Sequence, residues 1–181
     1  MKVIGVVGSP RRDGNTARLV EEVLAGAREA GNETHIFYLS DMEIKPLEYG
    51  AEGYVYPEDD FVSLMRHLET MGGIVIGTPI YYDHVSSRTK LFIDRLYYYS
   101  MSHGAEYRKR FPEGVKCVNV ITCGWDHPNA YDEVQEWING RMKNYWKMQI
   151  IGAIKGYGSH KRPVWDNTSL IAEARETGKK F

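Results

Sequence analysis

Along this chain the spacing of apolar residues switches repeatedly between two periods. Val3–Val7 is a short run rich in β-branched residues, the pattern of a strand covered on both faces. From Ala17 the spacing turns helical, with Leu19, Val20, Val23, Leu24 and Ala27 on one face. The same switch recurs to the end. Strands are predicted at Val3–Val7, Thr34–Leu39, Gly73–Gly77, Lys116–Thr122 and Gln149–Lys155, and helices at Asn15–Ala30, Asp59–Met71, Ser87–Ser102, Ala130–Lys147 and Asn167–Lys179. Gly31 suits the C-terminal cap of the first helix and Asn167 the N-cap of the last. Strands alternating with helices in this way imply an α/β fold, a parallel sheet covered by helices on both faces. No repeat, low-complexity tract or linker divides residues 1–181, so one domain is expected.

The turn from the first strand into the first helix reads Ser9-Pro-Arg-Arg-Asp-Gly-Asn-Thr16. A strand, a small polar loop and a helix N-terminus in sequence form an anion site, because the first helical N–H groups lack partners and the helix dipole favours negative charge. Ser9, Asn15 and Thr16 add side-chain donors, and a phosphate monoester suits the whole. The same three residues are also ordinary helix-capping types, and at this level both readings stand. There is no Gly-Lys-Ser/Thr tripeptide, and Gly5 and Gly8 do not continue into G-x-G-x-x-G, which sets aside the nucleotide-hydrolase and dinucleotide loops.

Ligands of open α/β sheets bind beyond the carboxyl ends of the strands, where strand order reverses. Two further loops meet that condition, Thr78–Arg95 after the third strand and Thr122–Asn129 after the fourth. They carry Tyr81, Tyr82 and Trp125 beside small polar residues, a setting for a planar heteroaromatic ring. A long interruption at Glu43–Asp60, punctuated by Pro46, Gly50, Gly53 and Pro57 and holding Tyr49, Tyr54 and Tyr56, either binds something or tucks its tyrosines onto the sheet edge.

A net charge of −1 and a pI of about 6.6 give no electrostatic footprint for nucleic acid. Arg108-Lys109-Arg110 is expected in a solvated loop before Pro112. No run approaches the ~20 apolar residues of a membrane span, and Val3–Val7 is too short for a signal peptide, so a cytoplasmic location is expected. The two cysteines, Cys117 and Cys123, and the six scattered histidines lack metal-ligand spacing. Buried, inert thiols and no metal are expected.

Three pieces in order, G-S-P-R-R-D-G-N-T from Gly8, Asp59-Asp60, and G-T-P-I-Y-Y from Gly77 followed by K-L-F-I-D-R at 90–95, carry a resemblance. The chain resembles the NADPH-dependent FMN reductase and iron–sulfur flavoprotein branch of the flavodoxin-like flavoproteins. That resemblance implies a three-layer sandwich with five parallel strands in the order 2-1-3-4-5, FMN at the carboxyl edge, NADPH or NADH as reductant, and a homodimer or homotetramer. It places Ser9, Arg11, Asn15 and Thr16 at the flavin phosphate and Pro79, Ile80, Tyr81 and Tyr82 along the ring. Thr122, Cys123, Gly124 and Trp125 hold the third-loop position. Arg12 stands beside Arg11, where either could meet a phosphate of FMN or NADPH. Lys90, Phe92, Asp94 and Arg95 are expected to fix helix packing or a subunit contact rather than a ligand. Tyr97-Tyr98-Tyr99 is expected to line a subunit contact or to send two of its rings into the core.

One departure matters. Iron–sulfur members of this branch place cysteines in the long loop, but Ile44–Pro57 contains none. A cubane cluster needs about four thiolates, so no cluster is expected. The leading expectation is an FMN-dependent NAD(P)H oxidoreductase serving a quinone, free flavin or other small acceptor. An electron carrier and a flavin-free binding module are the alternatives. Tyr82, His84 and His127 stand near enough to the second and third loops to donate protons, with rim or packing duties as the competing reading. Alanine at Asn15 and Thr16 is expected to weaken FMN binding and leave the fold intact.

Overall fold

The computed structural model describes all 181 residues. In chain order it runs β1 (Lys2–Val7), α1 (Asn15–Glu29), β2 (Glu33–Tyr38), β3 (Glu48–Gly50), β4 (Gly53–Val55), α2 (Phe61–Leu68), β5 (Gly73–Tyr81), β6 (His84–Val85), α3 (Ser87–Arg95), α4 (Ala105–Arg110), β7 (Lys116–Thr122), α5 (Asp132–Gly140), β8 (Gln149–Gly156) and α6 (Thr168–Gly178). The main sheet has the order β2-β1-β5-β7-β8, and these five strands are parallel. Counted along the chain they give the expected 2-1-3-4-5. Strand order reverses between β1 and β5, β2 being added on one side and β5, β7 and β8 on the other, so their carboxyl ends form the switch point.

The period-2 alternation of β1 explains the layering. Val3 and Val7 face a core built with Leu19, Val20, Val23 and Leu24 of α1 and Ala174 of α6. Ile4 and Val6 face the opposite core, with Phe61, Leu64 and Leu68 of α2, Phe92 of α3 and Ile138 of α5. No helix is long and apolar enough to cross a membrane.

Both expected caps are present. Gly31, at φ +82°, lets its own N–H reach Arg28 O and that of Asn32 reach Ala27 O, the paired bonds of a left-handed helix end. Asn167 Oδ1 accepts from Leu170 N.

Several boundaries differ from expectation. β5 runs on to Tyr81 because it turns back antiparallel as β6, pairing Ile80 with Val85 and Tyr81 with His84. The third helix stops at Arg95 and continues as short 3₁₀ turns at Leu96–Tyr99 and Met101–His103. The fifth helix starts only at Asp132, after a left-handed Tyr131, and widens into a π-turn at Arg141–Tyr145. The basic triplet lies in α4, not in a solvated loop. Arg108 donates to Phe111 O at 2.9 Å, and Arg110 pairs with Glu69 at 2.6 Å.

The long loop folds as the β3–β4 hairpin. Its tyrosines turn away from the sheet edge toward the turns after α3. Tyr54 meets Tyr97 edge-on at 5.0 Å, and Tyr56 OH lies 2.8 Å from His103 Nε2. Of Tyr97, Tyr98 and Tyr99, only Tyr99 is buried, donating to Glu69. One ring enters the core rather than two.

Candidate flavin site

The first loop hangs from the start of α3. Gly8 N donates to Gly77 O at 2.8 Å, and Ser86 Oγ donates to Gly8 O at 2.7 Å. Ser86 also caps α3 by accepting from Thr89 N, while its own N–H donates to Thr78 Oγ1. Gly8 is required here because a Cβ would stand 1.8 Å from Thr89 Oγ1.

The capping reading of Ser9, Asn15 and Thr16 is corrected by the structure. Gly14 is the N-cap of α1, and no side chain caps that helix. Ser9 Oγ instead accepts from Arg11 N. Asn15 Oδ1 accepts from Val164 N at 2.9 Å, and Thr16 Oγ1 lies 2.6 Å from Thr122 Oγ1. These side chains brace the loop against the third loop and the C-terminal segment. The backbone N–H groups of Gly14, Asn15, Thr16 and Ala17 consequently donate to no protein acceptor. Arg12 is committed to Asp41 at 2.7 Å and lies over the Tyr38 ring, whereas the Arg11 guanidinium is exposed and makes no ion pair. Free amides, a free guanidinium and the dipole of a 15-residue helix suit a phosphate.

The bracing role has a consequence for stability. Asn15→Ala would leave Val164 N buried without an acceptor, which costs about 1–2 kcal/mol. That loss should appear in urea denaturation as a lower unfolding midpoint of a protein that still folds. An unchanged unfolding midpoint would show that water replaces the bond.

At the second loop Thr78 is buried, and Pro79, Ile80 and Tyr81 form the end of β5. Tyr82 and Asp83 are the two residues of the β5–β6 turn, with φ of +46° and +60°, as a type I′ turn requires. Such turns favour Asn-Gly; a left-handed residue with a side chain costs about 1–2 kcal/mol. Tyr81 and Tyr82 are 46% and 104% exposed. His84 stacks edge-on against Trp137, with centroids 4.6 Å apart.

In the third loop Thr122 and Cys123 are buried and Trp125 is 61% exposed. Cys123 N donates to Gly156 O, and burial pushes its thiol up against the weaker opposing pull of the Trp125 backbone and the Lys155 charge. Burial pushes the Cys117 thiol up as well, and both cysteines are buried, as expected. A Cβ on Gly124 would fall 2.0 Å from the His160 ring. His127 Nδ1 accepts from Asn129 N.

Three ties therefore bring the predicted loops to one edge, namely Thr16–Thr122, Gly8–Ser86–Thr78, and Tyr131 OH donating to Asp83 Oδ1 at 2.8 Å. Asp83, Tyr131 and His160 had no signal in the sequence. Lys90 and Asp94 pair with each other at 2.6 Å, and Phe92 and Arg95 are buried. All four lie outside this edge; Phe92 and Arg95 pack into the interior, while Lys90 and Asp94 stay about half exposed on the helix surface. A cavity of about 550 Å³ lies elsewhere, among Pro46, Leu47, Tyr54, Leu91, Trp137 and Trp146. The unpaired backbone donors collect at the first loop.

The fold and its three-loop edge define a flavodoxin-like α/β protein whose first loop carries unpartnered backbone amides. The chain belongs to the NADPH-dependent FMN reductase family, which it matches over residues 1–115. It is 38% identical over 99 residues to the iron–sulfur flavoprotein MJ1083 of Methanocaldococcus jannaschii, an alignment covering 52% of this chain and only 51% of that protein. A Bacillus subtilis protein, YwqN, bears the name of an NAD(P)H-dependent FMN-containing oxidoreductase and is 31% identical over 186 residues, spanning 97% of this chain and 96% of its own. Among solved structures, the NAD(P)H:quinone oxidoreductase of Methanothermobacter marburgensis superposes with a TM-score of 0.74 at 16% identity, covering 99% of this chain and 95% of that one. An FMN-dependent NADH-azoreductase of Bacillus anthracis, in complex with FMN, gives 0.70 at 13% identity and covers 99% of both chains. These last two share the fold.

Proposed function

We propose that this protein is an FMN-dependent NAD(P)H oxidoreductase that passes electrons to a quinone, a free flavin or another small acceptor. One observation carries the reading: unpartnered N–H groups and the free Arg11 stand at the switch point beside an exposed aromatic rim. Gly14–Ala17 and Arg11 would hold the phosphate. Pro79–Tyr82 and Thr122–Trp125 would flank the ring, with Tyr81, Tyr82 and Trp125 on its open side. When bound, the flavin supplies the hydride-accepting centre, and the protein supplies position and electrostatics. Tyr82 is free to contact an acceptor, whereas His84 and His127 are engaged by Trp137 and Asn129 and serve the rim. The long loop holds no cysteine, so the reading involves flavin alone.

Titrating the apo-protein with FMN and following flavin fluorescence tests this directly. Saturation near one FMN per chain is expected. Arg11→Ala should weaken binding about tenfold or more, the size of a lost charge-assisted contact. NAD(P)H oxidation by the loaded protein should then depend on an added quinone or flavin. Absence of saturation at high micromolar FMN would overturn the proposal.

A further inference from the structure

Beyond its four left-handed residues that carry a side chain, Tyr82, Asp83, Tyr131 and Lys147, the backbone takes positive φ only at glycines. Three of the four gather at the same edge. Tyr82 and Asp83 form the tip of the β5–β6 hairpin, and Tyr131 (φ +58°) ends the third loop at the start of α5. Asp83 and Tyr131 lie 48 residues apart and are joined side chain to side chain at 2.8 Å. The bond is exposed to solvent, and one exposed hydrogen bond does not offset backbone strain at its two ends and at the adjacent Tyr82. Strain that the fold does not need marks a place where geometry serves another purpose.

The surroundings indicate the purpose. The Tyr131 ring packs edge-on against Trp125, with centroids 5.8 Å apart, and Trp125 in turn lies beside His127. At the other end, His84 against Trp137 anchors the base of the hairpin to α5. The hairpin tip is thus tied to the aromatic rim of the third loop. We propose that the Tyr131–Asp83 contact is a clasp that sets the gap between the second and third loops, and that both are positioning residues for the flavin ring. The inference rests on the flavin reading above and extends it to residues outside the family's matched motifs.

Asp83→Gly separates this role from a structural one. Glycine adopts the left-handed conformation without strain, so the variant should melt at a higher temperature than the unmodified protein. It loses the acceptor, so its FMN dissociation constant should rise about fivefold, the loss of one hydrogen bond. Tyr131→Phe should show the same weakening. Asp83→Asn, whose amide oxygen still accepts, should bind FMN as the unmodified protein does. Visible circular dichroism of the bound flavin should change in the first two variants and not in the third. If Asp83→Gly and Tyr131→Phe bind FMN with unaltered affinity and dichroism, the clasp is refuted while the flavin site stands. If the unmodified protein binds no FMN, both readings fall.

Discussion

Arg95→Ala is expected to lower the unfolding free energy by about 3–5 kcal/mol, equivalent to a fall in melting temperature of roughly 10 °C for a chain of this size. The Arg95 and Asp59 side chains are 2% and 1% exposed. Both Arg95 Nη atoms donate to the Asp59 carboxylate; Nη1 also donates to Lys45 O at 2.9 Å, and the guanidinium lies over the Phe61 ring. Asp59 in turn accepts from Lys45 N and Phe61 N. One ion pair therefore joins both ends of the Glu43–Asp60 loop to α3 and starts α2. Removing the arginine strands a buried carboxylate, which is the costly way to break such a pair. Arg95→Met with Asp59→Asn removes both charges, keeps an acceptor for one of the two N–H groups, and should recover part of the loss. A single-variant loss near 1 kcal/mol, as for an exposed pair, would show that solvent reaches it.

The same pair gives stability a pH dependence of known sign. Burial alone would push the Asp59 carboxyl up, but the Arg95 guanidinium and the Lys45 and Phe61 N–H groups outweigh it and hold it below the ordinary range. Between the folded and unfolded values the unfolded chain binds the extra proton. This contribution is therefore fully present above the unfolded value of about 4 and is lost as pH falls through the folded one. Acid unfolding of Arg95→Ala should lack that component.

Those two residues also show where a sequence stops being legible. Asp59-Asp60 and K-L-F-I-D-R were visible as matching pieces, yet their contact spans 36 residues, and nothing local announces it. Features with local causes were readable. The strand–helix alternation gave the parallel sheet, the family resemblance its strand order, Gly31 and Asn167 gave the caps, and the loop Ser9–Thr16 pointed to the anion site proposed above. The role of its side chains was not readable, because Asn15 and Thr16 act on Val164 and Thr122, more than a hundred residues away. The β5–β6 hairpin was hidden for another reason. Its turn is Tyr-Asp, without the Asn or Gly that signals a type I′ turn. α4 was masked by a basic triplet that reads as solvated until Glu69, Phe111 and Trp146 are placed around it.

Gly8→Ala should be the most damaging single-methyl change at the proposed flavin site. The added carbon would stand 1.8 Å from Thr89 Oγ1 and 3.0 Å from Thr89 Cβ, and Thr89 sits in the first turn of α3, capped by Ser86. Neither side can yield cheaply. Gly8 is fixed by Gly77 O and Ser86 Oγ, and Thr89 is fully packed. The expected overpacking cost is about 1–3 kcal/mol in stability. Displacing Gly8 also shifts the loop that presents the Gly14–Ala17 amides, so FMN binding should weaken about tenfold or more, the equivalent of roughly 1.4 kcal/mol or more. Thr89→Ala removes the offending oxygen, and the double variant should be less impaired than the two single losses combined, a coupling that residues in direct contact show. Strict additivity would mean that the loop moves independently of α3, and the anchoring of the phosphate loop through Ser86 and Thr89 would then be wrong.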